Sequence, residues 1–165
     1  KYGADALRMG LLTGTAIGSD VKFDENKIKG YKHFANKIWN ASRFVIENTV
    51  TGSDFPKEIT NEEDKKTLEE FVKTKEDITL DMENYRFYLA AEKIYHYFWH
   101  TFADKILEEC KLRIKEGKDT DSAKALLFKL LEEQLKVLHP FMPFVTEKIW
   151  GLLPGRKDML IIEKW

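Results

Sequence analysis

"YRFYLAAEKIYHYFWHTFADKILEECKLRI", residues 85–114, decides the fold. It is apolar around most of a helical circumference until Lys111, and a helix apolar on so many sides belongs in the middle of a bundle. The neighbouring segments are amphipathic, as the partners of such a helix should be. Gly117 in "KEGKDTDS" breaks the pattern, and Asp119 to Ser122 supply caps for a helix running through Leu126, Leu127, Leu130, Leu131, Leu135 and Leu138. His139-Pro140 stops that helix, because the residue before a proline is pushed out of the helical region. Pro143 suits the first turn of a last helix, "FVTEKIWGLL".

Towards the N-terminus, Thr60 and Glu63 have capping-box spacing and start a polar helix carrying Leu68, Phe71, Val72, Ile78 and Leu80. The pattern leaves the joint around Asp81 to Asn84 unplaced. A further helix is predicted from Glu25 to Asn48, capped by Asp24 and left through the loop "TGSDFP", residues 51–56. "GADALRMGLL", from Gly3, is a short helical pattern ending in the glycine-bearing loop of Gly14 and Gly18. After Pro154-Gly155, "MLIIEKW" reads as extended and leading off the domain. The expected fold class is all-α, a bundle of about four to five helices with a short extended C-terminal segment.

The chain has 165 residues, enough for a core without staples, and its one cysteine, Cys110, excludes an intramolecular disulfide and a cysteine-based zinc site. A reducing, cytoplasmic setting fits that usage. No apolar run approaches the roughly 20 residues of a membrane span, and the N-terminus has no secretory pattern. The chain starts at Lys1 without an initiator Met and stops at Trp165 within an apolar run, as expected of a piece of something longer.

The net charge of -1 is unevenly distributed. Between Asn26 and Ile46 lie Lys27, Lys29, Lys32, Lys37 and Arg43 without an acid, whereas from Lys57 to Glu83 acids outnumber lysines. A local basic stripe on a near-neutral protein implies one anionic docking face. With about 100° per residue and Ile38 taken as inward, Tyr31, Phe34, Ala41, Ser42 and Val45 form the core stripe of the helix. Lys29, Lys32, His33, Asn36, Asn40 and Arg43 point the other way, with Phe44 on one flank and Trp39 on the other. Cations can neutralise phosphates, asparagine amides can bond base edges, and an exposed Phe can stack on an unpaired base. A solvated helix with ordinary inter-helix amide bonds would give the same pattern, and periodicity does not separate the two.

Other chemistry finds little support. His96 and His100 have the spacing of a shared metal, but a third ligand is missing, and they read as histidines of an aromatic helix bonding to neighbouring helices. Asp104, Glu108 and Glu109 are explained by a solvated face. There is no phosphate loop, nucleophile elbow or His-Glu-x-x-His string. No catalytic, cofactor-binding or metal residue is expected.

"KYGADALRMGLL", "GSDVKF", "FANKIWNASRF", "FWHTFADKILEECK" and "LHPFMPFVTEKIW" occur in the order and approximate spacing of the class Ia aminoacyl-tRNA synthetases. The set most resembles the valyl-tRNA synthetases, over nearly the whole chain. The first and last strings are shared with isoleucyl and leucyl relatives; "FANKIWNASRF" and the pattern of Phe98, Trp99, Phe102 and Asp104 point to valine.

The resemblance implies three parts: residues 1–23 as the tail of a stem-contact segment following the catalytic domain, 24–153 as the anticodon-binding helical domain, and 154–165 as a linker towards a C-terminal arm. It places Arg43 and Phe44 near the anticodon, and it departs at Asn26, where some bacterial members carry an arginine that Lys27 or Lys29 would replace. The implied role is to hold the anticodon loop of tRNA(Val) during ATP-dependent aminoacylation by a catalytic domain outside these residues, whose signature motifs are missing here. ATP would serve the full-length enzyme only, and no DNA, membrane or second subunit is expected as partner. The alternatives are an isoleucyl or methionyl anticodon domain, or a helical module that binds no RNA.

Overall fold

The structure, a computed structural model, describes residues 1–14, 18, 20, 23–50, 58–156 and 158–165. These form helices α1 (Ala4–Leu12), α2 (Glu25–Thr49), α3 (Glu62–Glu83), α4 (residues 87–116), α5 (Thr120–Leu138) and α6 (Pro143–Trp150), then a 3₁₀ turn, Leu160–Ile162. No strand occurs among the described residues. The all-α expectation holds, and the expected exit loop at 51–56 lies outside the described residues.

α4 is the central rod. It runs as α-helix over Phe87–His96, widens into a π-helical stretch over Tyr97–Ile106, and returns to α-helix over Leu107–Glu116. Ala90, Ala91, Ile94, Phe98 and Phe102 are fully buried along it. It ends at Gly117, whose φ of 70° is the left-handed value that favours glycine. α5 is the other buried helix, with Leu127, Leu130, Leu131 and Leu135 wholly removed from solvent. The pattern's unplaced joint is a tight turn: α3 stops at Glu83, Tyr85 takes a φ of 57°, and the Arg86 N–H bonds back to the Asp81 carbonyl at 2.8 Å.

Capping follows local chemistry with two departures from expectation, the first being that Asp119, at the N-cap of α5, makes no side-chain cap bond and instead accepts from Asn61 Nδ2 at 2.9 Å. Asp24 accepts the Asn26 N–H at 2.9 Å as predicted. At α3 the cap is Asn61, which accepts from Glu63 and Asp64 N–H groups, so the Thr60–Glu63 box is off by one residue. Thr60 instead gives its N–H to the Ser122 hydroxyl at 3.2 Å.

The segments "KYGADALRMGLL" and "LHPFMPFVTEKIW" meet in space. Asp5 of α1 accepts N–H groups from Phe144 and Val145, at 3.2 and 2.7 Å, and so caps α6 from a distance. Arg8, one turn on, donates to the carbonyls of Pro140 and Phe141. α1 also crosses α2 closely: a Cβ on Gly10 would come within 2.7 Å of Ile28 Cγ1. Residues 1–14 are thereby packed into the bundle, with Ala6 and Met9 buried.

The C-terminal segment differs from the extended run predicted for it. Leu160 is buried in the 3₁₀ turn with its N–H on Glu147, and Trp165 Nε1 donates to Thr79 of α3 at 2.6 Å. Apolar Leu160 and the indole of Trp165 find partners on the bundle, which folds the segment back over it.

Candidate nucleic-acid interface

α2 presents its two faces as the helical wheel divides them. Phe34 is fully buried and is the hub of the inner face, with ring centroids 4.8 Å from Tyr95, 5.9 Å from Phe98 and 5.9 Å from Trp99. Tyr31 adds an edge contact to Tyr95 at 5.5 Å. Ile38 and Val45 are likewise fully buried. These contacts set the rotation of α2 on α4 and fix which side chains face solvent.

Lys29, Lys32, His33, Asn36, Asn40 and Arg43 are all exposed. Lys29 and Lys32 make no ion pair with any described residue. Arg43 lies 3.8 Å from Glu47, both more than half exposed, a pair worth little in water. Lys37 on the edge of this face is engaged differently: its ammonium meets Asp104 at 2.5 Å and lies 5.4 Å from the Trp99 ring centroid. Lys27 donates to the Thr13 carbonyl and helps tie α1 to α2.

Phe44 departs from expectation. It is half-buried and packed against the core, and Lys111 of α4 places its ammonium 4.8 Å from the ring centroid. The wheel ranks residues by direction alone and cannot register α4 passing along that flank. The opposite flank holds a pocket of about 230 Å³, lined by Trp39, Ser42, Arg43, Ile46 and Glu47 of α2 and by Ile149 and Leu152. Sequence reasoning did not find it, because Ser42 was read as part of the core stripe.

The histidine pair is exposed, not bonded to neighbouring helices as expected. His96 and His100 stack with centroids 5.6 Å apart, and His100 Nδ1 lies 3.7 Å from Asp104. His96 is the last residue of the α-helical part of α4 and His100 lies within the π-helical stretch. Among the described residues no three His, Cys, Asp or Glu side chains converge as metal ligands. Cys110 is buried and its thiol is pushed up to about 12 by burial, so it is inert as a nucleophile. No helix among the described residues is long and apolar enough to cross a membrane.

The face can thus offer cations to phosphates and amides to base edges. Residues 64–165 match the family described as the anticodon-binding domain of tRNA ligase. The whole chain aligns with the valine–tRNA ligase of Thermotoga maritima at 42% identity over 165 residues, covering 19% of that protein. That of Aquifex aeolicus is 41% identical over 94% of this chain and 15% of its own length. The chain therefore spans about a fifth of the length of the curated relatives it matches. Among solved structures, a chain from the ternary complex of Agrobacterium radiobacter K84 agnB2 LeuRS with tRNA and LeuAMS superposes with a TM-score of 0.68. It is 19% identical, over 99% of this chain and 20% of that one, and so shares the fold.

Proposed function

The chain belongs to the anticodon-binding domain family of tRNA ligases, and from that premise we propose that it is the part of a valine–tRNA ligase that holds the anticodon loop of tRNA(Val). The observation that carries the proposal is the alignment of the whole chain with valine–tRNA ligases at up to 42% identity. The outer face of α2 supplies the contacts. Lys29, Lys32 and Arg43 meet phosphates, while His33, Asn36 and Asn40 address base edges and Phe44 offers a stacking surface. Lys27, engaged with α1, is poorly placed to replace the arginine that Asn26 lacks, which leaves Lys29 for that task.

The mechanism is one of positioning. Binding energy gathered at the anticodon holds the acceptor end in register with a distant active site, where valine is esterified at the expense of ATP. The chain itself forms no adenylate, and ATP is handled elsewhere in the ligase. It works as a monomer, in the cytoplasm. Competition among purified tRNAs tests the assignment: unlabelled tRNA(Val) should displace a labelled tRNA(Val) at lower concentration than tRNA(Ile) or tRNA(Met) does. Equal displacement by all three would contradict the valine assignment.

A further inference from the structure

We propose that the groove between α3 and α5 seats a basic amphipathic helix from elsewhere in the same ligase, an inference that rests on the assignment of this chain as one part of a valine–tRNA ligase. The outer side of α3 carries the argument. Leu68, Val72, Thr79 and Leu80 recur there at helical spacing together with Glu76 and Glu83, and at about 100° per residue all six fall within about 120° of the helix. Val72 is 46% exposed and Leu80 51%, so the bundle leaves this stripe largely uncovered. It forms one wall of a groove of about 890 Å³, with Lys129 and Glu133 of α5 on the other. From Leu68 to Glu83 the stripe runs about 22 Å at 1.5 Å per residue, the length of about four helical turns. A group from outside the two helices already reaches it: Trp165, 86 positions from Thr79 in sequence, donates its indole N–H to the Thr79 hydroxyl at 2.6 Å.

The charges select the occupant. Lys75 and Lys129 on the walls are both engaged by Glu133, at 2.7 and 3.3 Å. Glu76 and Glu83 are exposed and make no ion pair with any described residue. Seven residues apart, they stand about two turns from each other on the same side of α3. An apolar stripe carrying two free carboxylates fits a helix with its own apolar stripe and with lysines or arginines about two turns apart. Lys73 on the rim, also without an ion pair among the described residues, is left for an acid of the same helix. An RNA backbone would be repelled by Glu76 and Glu83. A second copy laid on this face about a two-fold axis would set the same carboxylates against themselves. The chain spans about a fifth of the length of the relatives it matches, so most of such a ligase is tethered to this groove, and tethering makes the docking intramolecular.

The test is maleimide labelling of Val72→Cys in the full-length ligase that carries this chain and in the chain alone, with incorporation at that residue read by peptide mass spectrometry. Cys110, buried and with its thiol pushed up to about 12, stays unlabelled. In the chain alone Val72→Cys should react as an exposed thiol. In the full-length ligase it should react at least about tenfold more slowly, because the seated helix must first leave, and dilution should not change that protection. Adding Glu76→Lys and Glu83→Lys to the full-length variant should restore the rate seen in the chain alone. Equal rates in the two proteins, protection that is lost on dilution, or protection that survives the double charge reversal would overturn the docked helix while leaving the ligase assignment standing. Charging of tRNA(Val) with valine by the same full-length protein is measured alongside, and its absence would overturn that assignment and the docking inference with it.

Discussion

With Lys111 Nζ 4.8 Å from the centroid of the Phe44 ring, a base that stacks there must first displace an ammonium. Phe44→Ala should therefore lower RNA affinity by the about 1 to 3 kcal/mol typical of one stacked base. Because the ring is half-buried, the same change should also lower the melting temperature, though less than Ile38→Ala, which empties a fully buried site at about 2 to 5 kcal/mol. Arg43→Ala, at an exposed position, should weaken binding and leave the melt unchanged. Anisotropy titrations beside thermal melts separate the two readouts; a full loss of affinity in Arg43→Ala accompanied by unfolding would move Arg43 into the fold. The outward direction of Arg43 and its neighbours was legible in the residue spacing alone. The cover over Phe44 was not, because Lys111 lies 67 positions away in sequence and the contact is purely tertiary.

Helices α3, α4 and α5 are joined by a buried polar triad. Arg113 donates to both carboxylate oxygens of Asp64, at 2.6 and 2.8 Å, and Ser122 donates to Asp64 Oδ2 at 2.7 Å. Burial alone would push the Asp64 carboxyl up, but the Arg113 and Ser122 hydrogen bonds hold it below the usual carboxylate range. Arg113→Met leaves that carboxylate buried without its counter-charge and should cost about 3 to 5 kcal/mol in urea unfolding. A loss below 1 kcal/mol, roughly that of a surface pair, would show the triad to be dispensable. At this scale Asp24, Gly117 and Pro143 were readable because they act locally, within a turn of their own position, whereas His139 before Pro140 keeps helical angles (φ -56°, ψ -43°), so α5 does not end by the exclusion from the helical region that the proline suggested. The π-helical stretch was not readable, because a pattern of aromatics on nearly every side hides a change of turn width.

Across the whole molecule, the acid limit of stability should be set by carboxylates that bridge helices. Glu133 of α5 is approached by Lys75 of α3 at 2.7 Å and Lys136 at 3.2 Å. Burial opposes its ionisation, yet the Lys75 and Lys136 charges bring it from the ordinary 4.5 to about 2. A carboxylate depressed on folding contributes stability that is fully present above its unfolded value and is lost as pH falls through the folded one. Denaturation midpoints should thus be flat above pH 4.5 and decline between there and about 2, and Glu133→Gln should shrink the decline. The fold class was legible because a helix apolar all round must be surrounded; the return of the C-terminal segment was not, since the burial of Leu160 and the hydrogen bond from Trp165 to Thr79 depend on partners that no local pattern names. The central claim is that the exposed cations of α2 hold an RNA backbone. It is tested most directly by measuring tRNA(Val) affinity across a range of salt for the parent chain and for the combined Lys29→Gln, Lys32→Gln, Arg43→Gln variant. With about 0.7 counterions released per phosphate contact in single strands, the parent slope of log K against log salt should be steeper than the variant's by about 2. Equal slopes, or no binding by the parent at low salt, would contradict the account.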